Sequence, residues 1–387
     1  MLTAVETSGD ALGAALARAL RARLGPGVRF VGVGGPAMAR EGLSSAFDPA
    51  SLAIVGAFNA IAAYPLVRRR ARETAELARR EAPDAAVLID AWGFSIRVAK
   101  ALRRVDPGLP LIKYVAPQVW ATRPGRARTL ARAVDRLLAI HAFDPPLFEA
   151  AGLPTTFVGN PALVERAAGA DPAILRTRLG LRPDQPILLV LPGSREGEVR
   201  RLASPFGDAA TRLARGHPEL AVIVAAAQQV CAQVAAAARA WPCRPIIVEG
   251  PEDRASAMRA ATLALACSGT VTTELAMAGC PMVVGYRLGP LTHAAAKLLL
   301  RTPYITLINV AAGRFVAPER IQGRCAGPVL ARDLAALLDD PDRRRAQVEA
   351  QTAALEIMRG GLDDPIGAAA DAVVEVLARQ PRASSGV

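Results

Sequence analysis

Short apolar runs recur along this chain, each closed by glycine or proline. In the first half they are RFVGVGG (29–35), AAVLIDAW (85–92), LIKYVAP (111–117), DRLLAIHAF (135–143) and TTFVGNP (155–161). Runs this short, rich in Val, Ile and Leu and without polar alternation, read as strands buried on both faces of a parallel sheet. The chain enters its first strand at residue 2. Between the runs, DALGAALARALRARLG and RRRARETAELARREAP carry apolar residues at helical spacing. Such alternation predicts a doubly wound α/β sheet. A polar stretch punctuated by Pro and Asp, roughly 160–185, holds one short helix and reads as a connection between domains. The rhythm then restarts with PILLVLPGS (186–194), LAVIVAAA (220–227), RPIIVEG (244–250), ATLALACSG (261–269) and PMVVGYR (281–287). Two Rossmann-like halves are predicted, followed by a disordered tail, PRASSGV.

Composition refines this picture. At 387 residues the chain exceeds one ordinary domain. Hydrophobic residues make up 52% but aromatics only 4%, so the core is aliphatic. No run of about 18 apolar residues suggests a spanning helix, and MLTAVETSGD has neither the basic start nor the apolar stretch of a signal peptide. A strand so near the first residue hints at an abbreviated start. The five cysteines fall in no metal-binding spacing and read as buried thiols of a reducing cytoplasm. Three histidines, His141, His217 and His293, make no metal cluster. The net charge of +12 predicts attraction to something anionic: nucleic acid, phospholipid headgroups or phosphorylated substrates. A general arginine bias would give the same number.

Ligands of open α/β sheets bind beyond the carboxyl ends of the strands, so polar residues there carry the chemistry. In LPGSREGEVRRL, Gly193 and Ser194 would offer backbone N–H groups at a helix start, with Arg195 beside them, which suits a phosphate; a plain helix cap explains them equally well. Ser268, Gly269 and Thr270 repeat the device after a later strand. Glu274 then projects from the first turns of a helix, where a carboxylate could accept from two adjacent ribose hydroxyls or simply complement the helix dipole. VETSGDALG reads as a strand-to-helix turn carrying Glu6, Ser8, Gly9 and Asp10, in which Ser8 or Asp10 caps the helix or, as the functional alternative, the turn makes an acceptor-side contact. Asp90, in IDAWGF, ends a strand as a general base would, or caps the following helix; His141 is a rival base. GVGGPAMA superficially matches a dinucleotide loop, but Pro36 and the short segment after it favour a turn. Phe58, Ile61, Tyr64, Leu66 and Val67, followed by Arg68 and Arg69, read as a basic interfacial segment or as a core helix with a solvated end.

Taken in order, VETSGDALGAALARAL, FVGVGGPAM, YVAPQVWATRPGRA, LPGSREGEV, SGTVTTELAMAGCPMVVGYR and APERIQGRC resemble the lipid-A-disaccharide synthase family over nearly the whole chain. The resemblance implies a GT-B type α/β architecture: two Rossmann-like doubly wound domains with a cleft between them and C-terminal helices crossing back. The expected division is 1–164 plus about 349–387, facing acceptor and membrane, and 165–348, binding the UDP-sugar. It implies an inverting glycosyltransferase that moves diacylglucosamine from UDP-2,3-diacylglucosamine to 2,3-diacylglucosamine 1-phosphate and releases UDP. The implied setting is the inner face of the cytoplasmic membrane, on an anionic surface, with no cofactor, no metal and no nucleic acid.

The resemblance carries Asp90 over as the base. On the donor side it carries over Ser194, Arg195, Ser268, Gly269, Thr270 and Glu274, joined by Asn309, Glu319 and Gln322; Glu6 and Ser8 match the N-terminal loop. The sequence departs from the family pattern at Val5, where a glycine is usual, and at Trp92-Gly93-Phe94-Ser95, where P-D-F-N is common. Asn160 replaces a usual histidine, and Thr122 a tryptophan. Two other classes fit the residues: another UDP-sugar enzyme, such as a UDP-GlcNAc 2-epimerase, and a non-catalytic basic lipid-binding protein.

Overall fold

The structure, a computed structural model, describes residues 1–52, 64–119, 125–164, 170–289 and 302–379. The chain divides into two units, Met1–Val164 with Leu362–Val387, and Glu165–Gly361. In the first, seven strands form one parallel sheet: β1 Leu2–Thr3, β2 Val31–Val33, β3 Ser44–Ser45, β4 Ala86–Ile89, β5 Leu111–Tyr114, β6 Arg136–Ala139 and β7 Thr155–Phe157. Their spatial order is β3-β2-β1-β4-β5-β6-β7. Strand side chains alternate between two apolar layers. Leu88, Leu111 and Leu137 enter one with the helices Tyr64–Glu81 and Trp92–Val105, while Val87, Ile89, Ile112 and Tyr114 enter the other. Both faces are therefore buried, which is why these runs show no polar alternation.

The second unit holds six parallel strands: β8 Ile187–Leu191, β9 Ala221–Ala225, β10 Ile246–Val248, β11 Leu263–Cys267, β12 Met282–Tyr286 and β13 Glu319–Ile321, ordered β10-β9-β8-β11-β12-β13. All ten apolar runs quoted above contain a strand. The short edge strands β3 and β13 were not foreseen.

The return to the first unit differs from expectation. Helix Pro341–Arg359, which contains the expected crossing point near 349, packs on helices Leu307–Ala312, Thr270–Met277 and Gly327–Leu338 of the second unit. Its buried Gln347 exchanges hydrogen bonds with the backbone of Met282 at 2.8 and 3.0 Å. The chain therefore crosses at Leu362, and one helix, Pro365–Ala378, completes the first unit. That helix buries Ala369, Ala370 and Val373 in the layer that holds Leu16 and Leu20 of helix Thr7–Leu24. Arg23 pairs with Asp371, and Arg136 with Glu375 at 3.1 Å.

The basic segment is only partly described. Phe58 and Ile61 lie outside the described residues, as does the tail from 380. Tyr64 is exposed, flanked by the guanidinium groups of Arg97 and Arg68 at 4.9 and 5.8 Å from its ring. Arg68 and Arg69 are exposed, and Arg69 pairs with Glu73 at 3.5 Å. Leu66 and Val67 instead pack in part against the apolar layer of the first unit. Leu66 and Val67, expected at a membrane surface or in a core helix, are thus partly buried here. The helix turns its small residues, Ala71, Thr74, Ala75 and Ala78, inward, and the preceding turn follows.

Candidate active site

Strand order reverses direction once in each sheet, between β1 and β4 and between β8 and β11. Such switch points open a crevice at the carboxyl ends of their strands. The candidate residues collect at these two places.

At the first switch point, β1 runs into helix Thr7–Leu24, whose N-cap is Glu6; Glu6 and Ser8 are exposed. Neither Ser8 nor Asp10 caps this helix. Asp10 is buried, and its carboxylate accepts from the N–H groups of Gly35 and Ala37 at 2.8 Å and of Met38 at 3.0 Å. It caps the neighbouring helix Pro36–Arg40, so GVGGPAMA is a turn held by an acid from elsewhere in the chain.

Asp90 follows β4 beside the start of helix Thr7–Leu24; a Cβ built on Gly9 would lie 3.8 Å from the Cβ of Asp90. Asp90 and Ala91 both take left-handed backbone, at φ 46° and 39°, and Val115 after β5 does so at 72°. Ala91, not Asp90, is the N-cap of helix Trp92–Val105. Among the described residues no hydrogen bond reaches the Asp90 carboxylate, which is half-buried. Its role as a helix cap is therefore excluded. The backbone around it is tied instead. Its N–H donates to Tyr114 O at 3.0 Å, and its carbonyl accepts from Ser95 Oγ and Lys113 Nζ, each at 2.6 Å.

Sequence reasoning passed over Lys113, although a lysine inside LIKYVAP was the visible signal. It is 1% exposed, and burial pushes it down to about 7 against the opposing pull of Asp90 and Glu6. His141 is buried and stacked on Phe143 at 5.1 Å; burial pushes it down to about 4. Asp144, three residues on, is fully buried with neither oxygen hydrogen-bonded, and burial raises it to about 7.

These two groups act on stability in opposite directions. The contribution of Asp144 is full below the ordinary carboxylate range and is lost as pH rises to about 7. That of His141 is lost as pH falls from its ordinary value toward about 4. Over this shared window they offset one another. Asp144→Asn should remove one slope and leave the other, so stability should rise by about 3 kcal/mol from pH 4 to pH 6.5 relative to wild type. Denaturant melts across that range check it; a pH dependence unchanged by the substitution refutes it.

At the second switch point, Ala266 of β11 lies in register with Leu191 of β8, so the turns that follow are neighbours. Gly193 has φ 126°, and a Cβ there would meet Glu198 at 2.7 Å, so only glycine fits. Of the expected free N–H groups, that of Ser194 is occupied. Glu198 Oε2 accepts from Ser194 N–H at 3.0 Å and Arg195 N–H at 3.3 Å, and Oε1 meets the Arg195 guanidinium at 3.2 Å. Glu198, three residues beyond the N-cap of helix Glu196–Gly216, was missed despite standing at capping-box spacing. The Arg195 side chain is otherwise 81% exposed.

The neighbouring turn is open. Gly269 is the N-cap of helix Thr270–Met277; Gly269 and Thr270 are exposed, and Ser268 Oγ donates to Ile305 O at 3.0 Å. Glu274 is not a lone carboxylate, since it pairs with Arg254 while its side chain stays 43% exposed.

Asn309, Glu319 and Gln322 stand behind this rim rather than on it. Glu319, buried, accepts from Thr306 N–H at 2.9 Å, Thr306 Oγ1 at 2.7 Å, Ile305 N–H at 2.9 Å and Asn309 Nδ2 at 2.8 Å. The Asn309 side chain, fully buried, also bonds the backbone of Val316 and Ala317 and has no donor or acceptor left. Gln322 exchanges hydrogen bonds with the backbone of Leu288 at 2.7 and 3.3 Å. A direct lining role for Asn309 is thereby corrected: the network fixes the 302–309 segment against which Ser268 rests.

The lipid-A-disaccharide synthetase family model matches residues 1–362. The chain belongs to this family. Similar relatives are the lipid-A-disaccharide synthases of Rhodospirillum centenum, 42% identical over 98% of this chain and 94% of that one, and of Ruegeria pomeroyi, 43% identical over 97% and 94%. Among solved structures, S. aureus MnaA, titled as a co-structure with UDP, superposes with TM-score 0.63 at 14% identity, covering 97% of this chain and 94% of that one. The Neisseria meningitidis UDP-GlcNAc 2-epimerase, bound to UDP-GlcNAc, gives 0.56 at 13% identity, with 98% of each chain covered. Such neighbours place the two parallel-sheet units in the GT-B fold class. Membership of the family makes the protein an enzyme, a glycosyltransferase of lipid A biosynthesis that uses a UDP-sugar donor and a sugar acceptor. Among the described residues no helix is long and apolar enough to cross a membrane.

Proposed function

We propose that the enzyme transfers 2,3-diacylglucosamine from its UDP conjugate to the 6-hydroxyl of 2,3-diacylglucosamine 1-phosphate, with inversion at the anomeric carbon. The observation that carries the mechanism is the Asp90 carboxylate, free of hydrogen bonds among the described residues at a switch point whose backbone is otherwise tied down. Asp90 removes the proton of the acceptor hydroxyl as its oxygen forms the new bond to the anomeric carbon. The bond to the diphosphate breaks, and UDP leaves as an anion. The Arg195 guanidinium and the N–H groups at the start of helix Thr270–Met277 stabilise the growing charge. Glu274, steered by Arg254, accepts from the ribose hydroxyls. Glu6 and Ser8, exposed beside Asp90, meet the acceptor.

Both substrates carry acyl chains, so the enzyme works as a peripheral protein on the inner face of the cytoplasmic membrane. Tyr64, Arg68 and Arg69 are the described exposed residues suited to an anionic surface. Incubation with the diacylated donor and acceptor, followed by mass spectrometry of the lipid fraction, should reveal a disaccharide 1-phosphate and stoichiometric UDP. Turnover of unacylated UDP-GlcNAc in its place, without disaccharide, would refute this substrate assignment in favour of an epimerase-type activity.

A further inference from the structure

We infer that Lys113 is a positioning residue for Asp90, its ammonium clamping the strained strand end that presents the carboxylate. The inference rests on the reading of Asp90 as base. A fully buried lysine is rare because desolvating its charge is costly, and it persists only where its protons find partners. Lys113 lies opposite Leu88 in the β4–β5 register, on a sheet face otherwise filled by apolar residues such as Leu88 and Leu111. Its Nζ donates to Leu88 O at 3.2 Å, Asp90 O at 2.6 Å and Tyr114 O at 2.9 Å. Three N–H bonds meet three carbonyls, which matches an ammonium and exceeds what a neutral amine can donate.

Every one of these acceptors is backbone at the strand ends around Asp90. The Tyr114 carbonyl that accepts from Lys113 also accepts the N–H of Asp90, so both main-chain groups of Asp90 are tied to one cluster. The same cluster spans three left-handed residues without glycine: Asp90, Ala91 and Val115. Such backbone is strained and persists only where its surroundings over-determine it. Lys113 supplies part of that determination from below, and Ser95, through its second bond to the Asp90 carbonyl, from the following helix. Apolar packing of the sheet needs no such charge. A methionine of similar length would fill the space, and replacing a buried charge by an apolar group often leaves stability unchanged or higher.

The test compares Lys113→Met, Ser95→Ala and Asp90→Asn by kcat, KM, UDP affinity and thermal melting. Lys113→Met is expected to keep a cooperative melt, wild-type UDP affinity and KM, and to lose kcat about a hundredfold, as a slightly misplaced base would. Ser95→Ala should lose kcat about tenfold in the same pattern. A merely structural lysine would lower the melting temperature and leave the kcat of folded enzyme unchanged, which overturns the inference. Should Lys113→Met fail to fold, Ser95→Ala decides alone, and a wild-type kcat there overturns it. Asp90→Asn separates the two readings. An inactive Asp90→Asn with a fully active Lys113→Met removes only the clamp, whereas an active Asp90→Asn removes the base and the clamp with it.

Discussion

Asp90→Asn is expected to give a folded protein that has lost about three orders of magnitude in kcat, the range a positioned general base contributes. Folding should survive for two reasons. The carboxylate has no hydrogen bond among the described residues to lose, and asparagine tolerates the left-handed backbone that Asp90 adopts at φ 46°. The amide has the shape of the acid but cannot accept the acceptor's proton. Product formation, measured beside a circular dichroism melt, checks the expectation. A near-normal rate from a folded variant would move the base elsewhere. His141 would be a poor second choice, since it is only 7% exposed.

The next largest effect is expected for Arg195→Ala, with kcat falling about a hundredfold, the typical cost of removing one donor aimed at developing charge. UDP binding should weaken as well. The fold should survive, because Arg195 is 81% exposed and Glu198, its ion-pair partner among the described residues, keeps the backbone N–H groups of residues 194 and 195 as donors. The substitution also bares the buried Glu198 carboxylate, which keeps its hold on the Ser194 N–H and would then face an incoming diphosphate without a cation beside it. Titration calorimetry with UDP on Arg195→Ala and Glu274→Ala measures the binding component. Unchanged affinity in both variants would refute the donor-site assignment.

What could be read in advance was whatever the chain encodes locally. Ten strands announced themselves because buried parallel strands must be apolar on both faces, and their Gly and Pro boundaries marked the turns where the site residues lie. β3 and β13 escaped because Ser44–Ser45 and Glu319–Ile321 are too short and polar to carry that signal. Their place at a sheet edge comes from pairing to β2 and β12, which is a tertiary fact. Asp10 looked like a cap for its own helix and serves another one, reached across the fold. Glu274 looked solitary because Arg254 is twenty residues away in sequence. Glu198 and Lys113 differ from these cases: a capping-box acid and a lysine in a buried strand were both on view, and only their consequences were overlooked.

The late return of the chain at Leu362 has a bearing on biosynthesis. During translation the segment from Glu165 to Gly361 can close its sheet as soon as it emerges, whereas the unit that begins at Met1 must wait for its last helix, synthesised some two hundred residues after β7. Until then the aliphatic surface of helix Thr7–Leu24 that Ala369, Ala370 and Val373 will cover stays open to water. The amino-terminal unit, although begun first, is therefore the one whose apolar layer is completed last in synthesis.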